Sequence, residues 1–380
     1  MHLVFCYNQL FNISTIVKYM MVLFYLAIFI SIGGLLLFLL KESAKPGIFK
    51  NIRRWVNTGK NIRKGIVSSK EIKWCTLPYT VERGLLDITH PSLYWDCIKN
   101  ILYLAATPYP QSLGHGGLEY ENPYLFYAPF DGGEAPVDFI CYKDEPVCLP
   151  EEAKYNSDPV LFKDEERLFL LTRKVEGPDY FCKIVIQELV DGNWSNPIDL
   201  LKTDRICASP MIIKKDGIYR IYLINTRYNT IFGKKSIGYY TENLECWSSH
   251  TLAPYSFSFV NKIEWKYKQQ IYHSDLIHHQ GYFYLIFNAL HTDFRTFYGI
   301  RDHFKYLWIC RTRDFINFEM CPKPLLKRAG IYKPSGLFLK DKLIIYFSTD
   351  NSYYGKARNL YKSGNRIGVI EVSVNYLYFE

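Results

Sequence analysis

Four dipeptides in this 380-residue chain set a polar side chain directly before a proline and an apolar run: His90-Pro91, Asp158-Pro159, Ser209-Pro210 and Lys333-Pro334. A fifth apolar run opens on Ser274-Asp275, with His273 just before it. Carboxylates and imidazoles exchange protons usefully when burial or a neighbouring charge shifts their pKa. Glu121, Asp158 and Asp275 are the candidate carboxylates. His90, His273, Lys333, Arg173 and Arg227 form a basic set that would grip a carboxylate or phosphate, arginine bidentately. The same two sets would equally well pair with each other as a structural network. Ten cysteines are present, but none forms Cys-x-x-Cys and none clusters with histidine at zinc-site spacing, so no metal is expected. There is no phosphate-binding glycine loop, no dinucleotide fingerprint and no His-Glu-x-x-His, so no cofactor is expected. Gly114-His115-Gly116-Gly117 lies in a loop between strands, not at a strand-to-helix turn, and does not read as an oxyanion hole.

The elements that position these residues recur. Each polar start leads into an apolar strand, a turn and a second apolar strand. The second strands read ILYLAATPYP, RLFLLTRKVE, IYRIYLINTR, YFYLIFNALH and KLIIYFSTDN. Lys163-Asp164-Glu165, Lys215-Asp216-Gly217, Gln280-Gly281 and Lys340-Asp341 supply hairpin turns. Third strands such as KIVIQELV and YLWICRT follow. The spacing of about 50–70 residues fits four-stranded blades. Five copies predict an all-β, five-bladed propeller over residues 85–380. Proline is tolerated at the first strand position and should hold the residue before it extended. High tyrosine and phenylalanine content, 32 and 25 residues, suits strands and also sugar-stacking surfaces.

Five blades opening on polar-proline starts resemble the clan of glycoside hydrolase families 43, 32 and 68. Thr89-His90-Pro91-Ser92, Thr107-Pro108-Tyr109-Pro110 and Tyr120-Glu121-Asn122-Pro123 resemble an uncharacterised bacterial branch related to that clan. The resemblance implies a site at the central axis, where the innermost strands begin, with carboxylates on the first three blades. One such group protonates the leaving oxygen and another activates water or attacks. The second-blade position is Asp158. The first-blade position is His90, with Asp87 three residues earlier, and the third-blade position is Ser209. The expected activity is glycosidase-like, on a cell-surface or membrane-linked polysaccharide, with Asp158, Glu121 and Asp275 as acid, base or orienting groups. The alternative is a non-catalytic glycan-binding propeller that assists polysaccharide assembly.

Charge and hydropathy organise the N-terminal part. Residues 19–40 carry no charge and are long enough to cross about 30 Å of hydrocarbon, predicting one transmembrane helix after a short tail, 1–18. Residues 41–84 read as a basic stalk, with ten Lys and Arg against two acids between Lys41 and Lys73. The net charge of +9 is thus nearly all in that stalk. The balanced remainder excludes a bulk polyanion binder, and nucleic acid is not an expected partner. Membrane lipid is, because the stalk would lie against an anionic leaflet. Positive charge after the helix predicts a cytoplasmic propeller.

Overall fold

The computed structural model describes residues 65–78, 88–108, 121–148, 154–176, 181–203, 207–231, 234–265, 270–290, 304–328, 330–349 and 366–380. The predicted tail and transmembrane helix lie outside these residues, as does Asp87. Among the described residues no helix is long and apolar enough to cross a membrane.

Strand β1 (Lys73–Trp74) comes first. Blade I is β2 (Ile88–Asp96), β3 (Ile101–Pro108), β4 (Tyr124–Pro129) and β5 (Ile140–Cys141). Blade II is β6 (Lys154–Asp164), β7 (Arg167–Glu176), β8 (Phe181–Val190), the short β9 (Asn193–Trp194) and β10 (Ile198–Thr203). Blade III is β11 (Cys207–Lys215), β12 (Ile218–Ile231), β13 (Lys234–Ser249) and β14 (Ser258–Glu264). Blade IV is β15 (Gln270–His279), β16 (Tyr282–Leu290), β17 (Phe304–Thr312), β18 (Phe318–Met320) and β19 (Leu326–Lys327). Blade V is β20 (Ile331–Phe338), β21 (Lys342–Thr349), β22 (Ile367–Ser373) and, last, β1. All described strand pairs within the blades are antiparallel, as a meander requires.

The predicted five-bladed propeller is therefore present, and its five polar starts all lie on the innermost strands. Two-residue turns drive the hairpins. Asp216-Gly217 and Gln280-Gly281 both take positive φ at each residue, the twist that matches paired strands. Five apolar clusters fill the five seams between blades. The III–IV seam holds sixteen buried residues, among them Met211, Trp265 and Phe287. Among the described residues the I–II seam holds five: Tyr103, Ala105, Leu125, Leu161 and Leu170.

Two features depart from the sequence reading. Residues 65–78, placed by that reading in the stalk, are built into the propeller. β1 is the outermost strand of blade V, with Lys73 opposite Val369 and Trp74 opposite Gly368. Upstream, Val67 is buried and donates its N–H to Leu325 O; downstream, Thr76 donates to Val137 O. This segment laces blades IV, V and I together and closes the ring. The second departure is local. His90, Asp158 and Ser209 are not extended before their prolines but have φ of 53°, 53° and 46°. Each sits in a β-bulge, where the ladder skips two residues: between Thr89 and Ser92, Ser157 and Val160, and Ala208 and Met211. The extra residue is turned out of the pleat, and left-handed backbone is what aims it. Such a conformation costs about 1–3 kcal/mol per residue and concentrates at functional sites.

Candidate functional site

The bulges put one polar side chain from each innermost strand on the axis. His90, Asp158, Ser209, His273 and Lys333 are all at most 2% exposed. Asp158 is the hub. Its Oδ1 lies 3.3 Å from His273 Nδ1, 3.7 Å from His90 Nε2 and 3.8 Å from Lys333 Nζ. Its Oδ2 lies 3.2 Å from Arg173 Nε and accepts the Ser209 N–H at 3.2 Å. Lys333 Nζ also donates to Pro159 O at 2.9 Å, and Arg173 Nη1 to Cys207 O at 2.9 Å. Ser209 Oγ is 2.8 Å from His273 Nδ1. Glu121, at the foot of β4, reaches the same cluster from the other side of His90. Its Oε1 is 3.6 Å from His90 Nδ1 and accepts a hydrogen bond from Ser157 Oγ at 2.8 Å.

Burial and charge push these groups apart. Burial would raise Asp158, but Arg173, His273, His90 and Lys333 together hold it well below the usual carboxylate range. Burial drives Glu121 up to about 8, against the pull of Arg173 and Ser157. Burial lowers both imidazoles, His90 furthest, despite Asp158. It also lowers Lys333 to about 8. Near pH 7 Asp158 is then ionised, Arg173 and Lys333 are protonated, and Glu121, His90 and His273 are neutral. The cluster carries a surplus positive charge.

The structure brings together Glu121, Asp158, His90, Arg173, His273 and Lys333 of the sequence-derived set. Asp275 sits two positions past the ring residue His273 and turns into the IV–V seam. Its Oδ2 accepts from Gly336 N and Ser335 Oγ, both at 2.9 Å, and its Oδ1 from Leu276 N. Arg227 pairs with Tyr240 in the β12–β13 ladder, and its side chain lies outside the described residues. Sequence reasoning missed two tyrosines. Tyr332 packs its ring 4.3 Å from that of His273 and 5.3 Å from that of His90; Tyr272 lies 4.5 Å from His273 and 5.9 Å from Tyr332. Both are half-buried, so they cover the ionic cluster and keep a solvent-facing side. The available signal was position: an aromatic directly precedes the ring residue on blades IV and V, where blades I–III have Thr89, Ser157 and Ala208.

No family model and no curated protein sequence matches the chain. Solved structures do. A β-xylosidase, RS223, superposes with a TM-score of 0.51 at 12% identity, over 80% of this chain and 95% of that one. A GH43_1 enzyme from Xanthomonas citri gives 0.53 at 10% identity, over 78% and 90%. The catalytic domain of a Coprinopsis cinerea GH62 α-L-arabinofuranosidase gives 0.53 at 10% identity, over 83% and 98%. The chain has the propeller fold of glycoside hydrolase families 43 and 62. At such identities the likeness concerns the fold.

Within this family 43/62-type propeller the axial side chains set limits on chemistry. Ser157, His90 and Asp158 stand in the order of a nucleophile–base–acid relay, with Ser157 Oγ 3.3 Å from His90 Nδ1. Ser157 Oγ lies closer to Glu121 Oε1, at 2.8 Å, so that carboxyl competes with His90 for the hydroxyl. His90, Asp158 and His273 offer ligand atoms within 4.8 Å of one another, a nitrogen-rich set that suits a transition ion better than calcium. Arg173 and Lys333 already bring two positive charges to the same carboxylate, and a divalent cation there would be repelled by both. The residues present do not fit a metal.

Proposed function

We propose that the propeller recognises a glycan at the mouth of its axis, as a membrane-tethered, carbohydrate-binding relative of the glycosidases. The observation that carries this is the Tyr272–Tyr332 pair lying over a buried cluster of surplus positive charge. Aromatic faces stack on the apolar faces of sugar rings, and the charge beneath favours a sugar that bears a carboxylate or phosphate. Arg173 keeps 14% of its side chain exposed and is the group through which that charge reaches a ligand. Solved neighbours of this fold include complexes with xylose and xylotriose, which supports a sugar as the ligand class.

A second reading, hydrolysis, is favoured by one observation: the two axial carboxylates are pushed in opposite directions. Glu121 is held protonated and Asp158 ionised, the division of labour of a glycosidase acid and base. Binding is preferred because Asp158 is wholly buried and neutralised, and because the clan's other two carboxylate positions hold His90 and Ser209.

The test is a glycan array, followed by titration, with the full chain and its Tyr332→Ala variant. Binding of acidic glycans that falls at least tenfold in the variant, about 1.4 kcal/mol, is expected. Release of product from synthetic glycosides, abolished by Glu121→Gln, would replace binding with hydrolysis. Equal binding by native and variant protein would remove the axial site.

The apolar run 19–40 and the basic residues after it support a tether whose propeller faces the cytoplasm, near a polysaccharide assembled or carried at the membrane. Labelling of propeller thiols on intact cells by an impermeant reagent would reverse that assignment. Exposed Cys97 is the natural reporter.

A further inference from the structure

A cleft of about 510 Å³ opens along the I–II seam, within the size range of ligand sites. It runs from Asn156 at the foot of β6 out to Trp194 on β9. Its inner end abuts the axis. Asn156 N donates to Glu121 O, and its side chain donates to Asn122 Oδ1, so the wall of the cleft is also the wall of the Glu121 pocket. Its outer end is lined by Tyr142, Lys143, Asn193, Trp194 and Asn196.

Two independent observations mark this cleft as built for a ligand. The first is packing. Among the described residues the I–II seam has five buried apolar side chains, where the III–IV seam has sixteen. Closely packed seams are the stable solution for a propeller, and the cleft lies where the packing of the described residues is thinnest. The second is chemistry. Tyr142 and Trp194 are half-buried, and both pack against the small seam cluster, which fixes their rings. Around them stand amides. Lys143 Nζ reaches across the seam to Asn193 Oδ1 at 2.6 Å, and Gln187 Nε2 donates to Ser195 O at 2.9 Å. Fixed aromatics flanked by amide donors and acceptors are the side chains that hold sugar rings by stacking and their hydroxyls by hydrogen bonds.

We infer that this interblade cleft is a second glycan site, which takes the distal rings of a chain whose near end sits at the axis. The inference rests on the proposed axial reading for its direction, but its side chains are separate. Two linked sites on one chain raise affinity with chain length, because the second contact forms at high effective concentration.

Titration of the full chain with a trimer and a hexamer of the same sugar reads this directly. The probes are xylotriose and xylohexaose, and tri- and hexagalacturonic acid. The hexamer is expected to bind about tenfold tighter than the trimer. Trp194→Ala should bring that ratio near one, with trimer affinity within about twofold of native. Because Trp194 also packs on the seam, Asn196→Trp, at an exposed position on the cleft wall, serves as the variant that fills the cleft without opening the core. Tyr332→Ala should weaken trimer and hexamer alike. A native ratio near one, or a ratio unchanged in both cleft variants, overturns the second site. If the cleft variants lower the ratio while Tyr332→Ala leaves the trimer unaffected, the cleft stands and the axial reading falls. If none of the four probes binds, both fall.

Discussion

Replacing Asp158 by asparagine tests whether the axis is held by paired charge. The substitution keeps shape and removes one negative charge, leaving Arg173 at 3.2 Å and Lys333 at 3.8 Å from a neutral amide. Asp158 is 0% exposed, so water cannot replace what is lost. Breaking a buried pair by removing one partner costs about 3–5 kcal/mol, whereas an exposed pair is worth about 0–1 kcal/mol. The larger range applies here, because two cations are stranded and the Ser209 N–H loses a charged acceptor. With an m-value of about 3 kcal/mol/M, the urea midpoint should fall by at least about 1 M. The pH dependence has a definite sign. Asp158 titrates lower in the folded chain than the usual carboxylate value near 3.9, so its contribution is full above that pH and is lost as pH falls through the depressed folded value. Asp158→Asn should therefore lose less stability than the native chain on acidification below about pH 4. Adding Arg173→Met removes one stranded cation and should recover at least about half of the loss. An Asp158→Asn midpoint within about 0.3 M of native, or a double variant no better than the single, would refute the account.

Glu121 gives the opposite sign. Its folded pKa of about 8 lies above the unfolded carboxyl value, so the unfolded chain releases the proton first and stability declines as pH rises from about 4.5 toward 8. Glu121→Gln should flatten that decline. Across about pH 6.5–7.5 the native-minus-variant difference in urea midpoint reads it, because Cys182, lowered to about 6, adds a slope of opposite sign to both chains alike. Ring closure gives a further outcome. A fragment of residues 60–380 should unfold cooperatively, while 76–380, which lacks β1 and the buried Val67, should lose several kcal/mol. Equal thermal midpoints for the two would mean that β1 does not close the ring.

Local signals made the blades legible. Polar-proline starts, paired apolar runs and Asp-Gly or Gln-Gly turns are each readable within a dozen residues, and each corresponds to an innermost strand or a hairpin. β1 was illegible for the contrary reason. It is two residues long, lies in a basic run, and owes its strand character to β22, almost 300 residues away in the chain. The ring residues were legible as a set, but their aim was not. Proline was expected to hold His90, Asp158 and Ser209 extended, and the bulge overrode it, since the register of the whole inner strand is worth more than one residue's backbone preference. Asp275 shows how fine the margin is. Two residues beyond the ring position, a carboxylate turns from the axis into a seam.

That margin explains why the axis can change its chemistry while keeping its fold. All five seams are crossed by a bond accepted by a residue at, or two beyond, the ring position. Ser92 Oγ accepts from Leu161 N, Asp158 from Ser209 N, Ser209 Oγ from Ser274 N, and Asp275 from Gly336 N. Ser335 Oγ closes the fifth by accepting from Leu93 N. Each acceptor is an oxygen, but only some need be acids. A serine at position 209 makes its seam bond without placing a negative charge beside Asp158; on blade I the seam bond belongs to Ser92, and a neutral histidine at position 90 likewise adds no negative charge. With three carboxylates converging, like charge would force one to stay protonated, which is what acid–base catalysis exploits. With Asp158 alone ionised, and Arg173 and Lys333 beside it, the axis is electrostatically set to attract an anion rather than to pass a proton. The ring of seam bonds thus fixes where the axial side chains sit, while their identity sets the charge that the axis presents.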